Sequence, residues 1–228
     1  MNVIPPCVFA ALVASTLATA AWAEEARPIF YEVSFKNGLV ATQTVTITQT
    51  PDEKTVTTSF EAEVPVFVAH HRIAEDLSVT TATNGAVIRF HANRVDGAIR
   101  IEIVGTAESD GMLRVVRSDR AGSVTNYIAR DAYDFNSLIL YGNPTTDFVT
   151  TNQPARVLDI AEGHVVPVQV SGNSESLTVE RQNVKTLHVT WVEGAHTSHS
   201  WHPERFSNLP VRYIRQTDAG EFTFFLQR

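Results

Sequence analysis

Cysteine is the scarcest residue in this chain: one, Cys7, among 228 residues. It lies ahead of an apolar stretch. A lipid-anchoring signal needs its cysteine after that stretch, at the cleavage point, so lipidation is not expected. Beyond Cys7 there is no thiol, which excludes disulfide staples, a cysteine-ligated metal and a cysteine nucleophile. Excess positive charge is also missing. The formal net charge is −7, the wrong sign for gripping nucleic-acid phosphates or for docking on anionic lipid. No apolar run reaches the roughly 20 residues of a spanning helix. There is no G-x-S-x-G elbow, phosphate loop or EF-hand pattern. The sequence thus carries no local catalytic signature, which points away from an enzyme without deciding the matter.

What is present begins with a leader. Residues Val8 to Trp22 are almost all apolar or small and close on Ala21-Trp22-Ala23, before Glu24-Glu25. An apolar core ending in a small-x-small site is the pattern of a secretory signal, here 1–23. The α-amino group is the only positive charge ahead of that core. A periplasmic or secreted protein is therefore expected, with no membrane span after cleavage. Residues 24–228 suit a single β-rich domain resting on its hydrophobic core.

The side-chain period is two nearly throughout. In "VATQTVTITQT" threonines at 42, 44, 46, 48 and 50 alternate with Gln43, Val45, Ile47 and Gln49. "IFYEVSFK" puts Ile29, Tyr31, Val33 and Phe35 on one side, and "EFTFFLQR" does the same with Phe222, Phe224 and Leu226. Compact breakers separate the runs: Lys36-Asn37-Gly38, Pro51-Asp52-Glu53-Lys54, Thr83-Asn84-Gly85, Val95-Asp96-Gly97, Ser109-Asp110-Gly111, Arg120-Ala121-Gly122, Gly172-Asn173 and Asp218-Ala219-Gly220. Asn-Gly and Asp-Gly accept positive φ cheaply and favour tight hairpins. The expectation is an all-β fold, a single strongly curved antiparallel meander of about 12 strands, half-barrel or barrel-like. One segment departs from period two. In "RDAYDFNSLILYGNP" Phe135, Leu138 and Ile139 have helical spacing, Asp131 or Asp134 can cap the start, and Gly142 and Pro144 stop it. One short helix near 131–141 is expected to cross the sheet, an ordered loop with an apolar plug being the alternative.

Two kinds of site can be weighed. The stretch "HTSHSWHPERF" holds three of the eight histidines. His196, His199 and His202 would share a helix face, but the alternation of "VKTLHVTWVEG" and the Glu193-Gly194 turn place them on a strand. His196 and His202 then face one way and His199 the other, so they are expected to be strand residues rather than metal ligands. His70 and His71 likewise point to opposite faces, though one of them could pair with a distant His91 or His188. Glu75-Asp76 are consecutive and diverge if extended. No metal and no cofactor are expected. The second kind is the inner face of the sheet. Phe35, Phe60, Phe67, Phe90, Trp191, Trp201, Tyr213, Phe222 and Phe224 are candidate ligand-binding residues if the sheet stays half open, and plain core if it closes.

"YEVSFKNGLVATQTVTIT", "AYDFNSLIL" and the closing "KTLHVTW", "SHSWHPE" and "PVRYIRQTDAGEFTFFLQ" resemble exported β-meander families of unknown function from Gram-negative bacteria. The order of elements is similar, at fold level, to periplasmic lipoprotein-carrier proteins, whose curved sheet holds acyl chains against internal helices. Trp201-His202-Pro203 departs from the family pattern, and one short helix stands where the carriers have more. The aromatic inner face and the missing catalytic motifs lead to the expectation of a non-catalytic binding protein holding a lipophilic or envelope-derived ligand on the concave face. The resemblance to the carriers implies this only by analogy of fold. A periplasmic scaffold acting through exposed strand edges, with an envelope protein as partner, is the alternative. A hydrolase or metalloprotein using the histidines is a third.

Overall fold

The computed structural model of the protein describes residues 26–36, 38–66, 69–141, 154–179, 181–204, 209–217 and 220–227. The expected signal segment 1–23, the candidate Phe67 and the helix-stopping Gly142 and Pro144 lie outside these residues.

Eight strands come first: β1 (Ile29–Phe35), β2 (Gly38–Gln49), β3 (Glu53–Val66), β4 (Ala69–Ala82), β5 (Val87–Asp96), β6 (Ile99–Ala107), β7 (Met112–Asp119) and β8 (Gly122–Ala129). Seven follow: β9 (Phe135–Asn136), β10 (Pro154–Asp159), β11 (His164–Val179), β12 (Gln182–Glu193), β13 (His196–Pro203), β14 (Arg212–Thr217) and β15 (Gly220–Leu226). All belong to one 15-stranded sheet in the order β8 to β1, then β15 back to β9. The all-β curved meander is thus present, and it does not close into a barrel. The strand count exceeds the expected dozen partly because β9, two residues long, leaves no periodic trace.

The chain's first and last strands meet in the middle of this sheet. β1 pairs antiparallel with β15, Val33 opposite Phe224 and Phe35 opposite Phe222. One wing, β1 to β8, and the other, β15 to β10, run outward from that seam through antiparallel hairpins. The parallel β9–β10 contact is the exception. Ala129, at the end of edge strand β8, is six residues from Phe135 of the opposite edge, a reach of roughly 20 Å at most. A flat sheet of this width cannot satisfy that link. The accumulated twist must bring the two edges towards each other, and the inner face becomes a concavity.

Among the described residues the Gly- and Asp-centred breakers form corners, with one exception; Asn37, Asp218 and Ala219 lie outside them. Gly172 and Asn173 lie inside the 16-residue β11, opposite Val189 and His188. The unbroken ladder to β12 overrides their local turn preference there. The true corner is at Arg181, which adopts φ 68°. The expected helix near 131–141 takes the form of two 3₁₀ turns, Arg130–Ala132 and Ser137–Tyr141, with β9 between them. A single 3₁₀ turn is enough to bury Leu138, Leu140 and Tyr141. The Phe135–Asn136 backbone is drawn instead into the sheet by pairing with Val157 and Leu158.

The largest core cluster joins the two wings. Tyr31, Val33, Phe35, Val45, Phe60, Phe90, Ile103 and Val115 pack with Leu138, Leu158, Ile160, Phe222 and Phe224. The β10–β11 turn docks on the facing wing so closely that a Cβ on Gly163 would sit 2.6 Å from Ile103. With φ at +69° as well, only glycine fits at that point. A second cluster, from Val157, Val166, Val168, Val170, Val189 and Trp191 with Phe135 and Leu140, fills the C-terminal wing. Among the described residues no helix is long and apolar enough to cross a membrane.

Candidate functional site

Between the two wings the concave face is not filled. A cavity of about 390 Å³ opens there, lined from β2 to β5 on one side and from β10 to β15 on the other. Its volume falls in the range of small-molecule sites. One wall is aromatic. Phe60 meets Phe222 and Phe224 edge-on at 5.9 and 6.0 Å, and Tyr213 lies 5.4 Å from Phe224. Trp191 extends this wall and packs edge-on against Phe135 at 5.4 Å.

Of the inner-face candidates, Phe60, Trp191, Tyr213, Phe222 and Phe224 line this cavity. Phe35 stands behind it, 4.9 Å from Phe222, inside the solid core. Phe90 is also core and lies so close over Gly105 that an added Cβ there would overlap its ring. Trp201 is a correction: it sits on the opposite face, stacked on His188 at 4.4 Å with an angle of 9°. Parity explains this, because Ser198, Ser200 and His202 take the inner positions of β13 and leave 197, 199 and 201 outside.

The polar wall consists of charges that occupy the apolar parity of their strands. Glu75, 8 % exposed, follows Ile73 and precedes Leu77 on the inner side of β4. Arg215 reaches it from β14 through two hydrogen bonds, Nη1 to Oε1 at 2.9 Å and Nη2 to Oε2 at 3.4 Å. Arg94 of β5 approaches the same carboxylate at 3.6 Å and also pairs with Glu162, in the β10–β11 turn. Glu162 in turn accepts from Arg117 of β7 at 3.0 Å. Five side chains of alternating sign thus bridge the concavity from β14 to β7. Burial alone would raise the Glu75 carboxyl, but Arg215, through charge and hydrogen bonds, and then Arg94 hold it below its ordinary value. Desolvation opposes the charge on Arg215 as well, but the Glu75 carboxylate holds its guanidinium firmly ionised.

Besides Asp96, which His71 holds, two further carboxyls line the cavity, and among the described residues no arginine pairs with either. Asp159 ends β10 and accepts a hydrogen bond from the Ala161 amide at 2.8 Å. Burial raises it above the ordinary carboxylate range. Glu193 ends β12 at the open rim and is raised by loss of solvent and then by the charge of Asp159. Tyr141 closes the inner end, donating from its hydroxyl to Gln43 Oε1 at 3.0 Å. Chemically the arrangement offers a greasy wall and a wall rich in hydrogen-bond acceptors, with both carboxyls shifted towards their protonated form. None of this charged set stands out in the sequence as belonging to one site. The signal was there: a charged residue at an inner-parity position of an otherwise apolar strand, in β4, β5, β7 and β14 alike.

The histidines separate as strand parity dictates. His196 lines the cavity and His202, 5 % exposed, hydrogen-bonds Ser200 at 3.0 Å. His199 faces outward and meets His188 at 3.1 Å between ring nitrogens. His71 pairs with Asp96 and His91 with Glu102, so neither joins another histidine. Among the described residues no group of three or more His, Cys, Asp or Glu side chains converges as metal ligands would. Glu75 and Asp76 diverge as consecutive strand residues must, Asp76 accepting from Ser59 on the outer side at 2.5 Å.

Comparison with protein-family models, with curated proteins and with solved structures found no match to this chain.

Proposed function

We propose that this chain is an exported, non-catalytic binding protein that holds a lipophilic or envelope-derived ligand in the concavity of its sheet. The observation that carries this reading is the 390 Å³ cavity with a wall of Phe60, Trp191, Tyr213, Phe222 and Phe224. Folding ordinarily closes such apolar surface, and its retention as an open hollow favours an apolar occupant. The leader pattern at 1–23 supports export, and the periplasm or the exterior is the compartment proposed. Native mass spectrometry of protein purified from its own compartment tests the reading: a small molecule should co-purify and be extracted into organic solvent. A ligand-free protein that also takes up no apolar probe would overturn it.

A second reading rests on edge strand β8, where Val124 and Tyr127 are 61 and 59 % exposed on opposite faces. Its outer backbone edge, which pairs with no strand among the described residues, can accept a strand from an envelope partner. In-cell cross-linking from position 124 distinguishes the two, yielding a protein adduct for a scaffold and none for a carrier.

A further inference from the structure

The lining of the cavity specifies the polar end of its occupant. Resting on the binding reading above, we infer that the cavity selects an amphiphile with a neutral, hydroxyl-bearing head group, such as a sugar or polyol, over a fatty-acid carboxylate. The arginines at the site are already matched: Arg215 is held by Glu75, Arg94 by Glu75 and Glu162, and Arg117 by Glu162. The remaining lining is mainly acidic: Asp96 is taken by His71, His196 stands at the rim, and Asp159 and Glu193 line the same space with no arginine paired to either among the described residues. Loss of solvent disfavours ionisation of both, and the charge of Asp159 acts on Glu193 in the same direction. A ligand carboxylate placed there would add another negative charge to a partly desolvated acidic site, and like-charge juxtaposition of that kind is strongly disfavoured. A hydroxyl does the reverse, because it donates to a carboxylate and accepts from a carboxylic acid.

Fixed positive charge separates hydroxyl from ammonium. Arg215 acts on both the Asp159 and the Glu193 positions, and His196 lines the same space. An alkylammonium placed there would give up its own solvation to meet that charge beside two carboxyls whose ionisation burial disfavours. A hydroxyl-rich head has no charge to desolvate.

The test is calorimetric titration of the folded protein near neutral pH with three amphiphiles of equal chain length, octyl glucoside, octanoate and octylamine, each below its micelle concentration. Octyl glucoside should bind at least about tenfold more tightly than octanoate, a gap of about 1.4 kcal/mol. Glu193→Gln should narrow that gap by weakening the glucoside and admitting octanoate. Octanoate binding as tightly as the glucoside, or octylamine binding tightest, would overturn the inference and leave the apolar groove standing. Failure of all three to bind would overturn the groove along with it.

Discussion

Glu75 carries a charge at a position where the neighbours on its face of β4 are apolar, and it is tolerated only because two guanidiniums reach it. Glu75→Gln would leave Arg215 and Arg94 facing a neutral amide. Removing one partner of a fully dry pair costs roughly 3–5 kcal/mol. Here 34 % of the Arg215 side chain remains accessible, so water repays part of the loss and about 2–3 kcal/mol is expected. A denaturant titration measures it. The pH dependence has two opposed parts. Glu75 is depressed in the fold, so its contribution is present above its unfolded value and lost as pH falls through the lower folded one. Asp159 and Glu193 are raised, so the folded state is penalised as pH climbs from their unfolded values through the folded ones. Asp159→Asn can keep the hydrogen bond to the Ala161 amide. It should raise the melting temperature at neutral pH and have no effect well below the ordinary carboxylate range, and a melting series against pH would show both. Gly105→Ala is the steric counterpart. The Phe90 ring occupies the space that the new methyl would need, so the ring must move, at a cost of about 1–3 kcal/mol.

The 3₁₀ turn Ser137–Tyr141 is the element that finishes the cavity. Ser137 Oγ accepts from the Ile160 amide at 3.1 Å, Leu138 enters the main core, and Tyr141 bonds Gln43 on β2. Tyr141→Phe leaves the Gln43 carbonyl, on a residue 6 % exposed, without that donor. A loss of about 1–3 kcal/mol is expected, and Tyr141→Phe with Gln43→Leu should recover part of it, since removing both partners is cheaper than removing one. A double-mutant cycle reads this directly. The same element shows what sequence can convey. The apolar spacing of Phe135, Leu138 and Ile139 announced a change from period two, and a helical turn follows. It could not announce that Phe135–Asn136 would be captured by β10, because that depends on where Val157 lies in space. Strands and most corners were legible because parity and Gly φ are local properties. The aromatic wall was half legible, with parity putting Phe60, Phe222 and Phe224 inward but not saying which would face a void. The charge chain was not legible as a unit, since Glu75, Arg94, Arg117, Glu162 and Arg215 come from strands and a turn far apart in sequence. Trp201 was misplaced because its aromatic character outweighed its parity.

At the scale of the molecule everything turns on the seam between β1 and β15. The sequence separation across it is close to the full length of the described chain, Tyr31 opposite Leu226. Closing so long a loop is entropically unfavourable until the contacts across it form. Folding should accordingly be slow for the chain's size, in the millisecond-to-second range of strand-rich, non-local topologies. Stopped-flow refolding, followed through tryptophan fluorescence, would time it. The seam also determines whether the wings are independent. Phe222 and Phe224 are each 3 % exposed and sit in the same cluster as Tyr31, Val45, Phe60 and Ile103. The cavity itself needs both wings, since Glu75 and Arg94 come from one and Arg215 and Trp191 from the other. Truncation before Gly220 would strip two aromatic rings from that core and open edges on β1 and β14 at once. Each large-to-small loss at such a site costs about 3–5 kcal/mol, and two of them approach the whole stability of an ordinary domain. The truncated chain should therefore melt without a cooperative transition and bind an apolar dye as loosely packed chains do. If residues 26–129 instead gave a sharp melt on their own, the wings would be separate folding units and the cavity an interface between them.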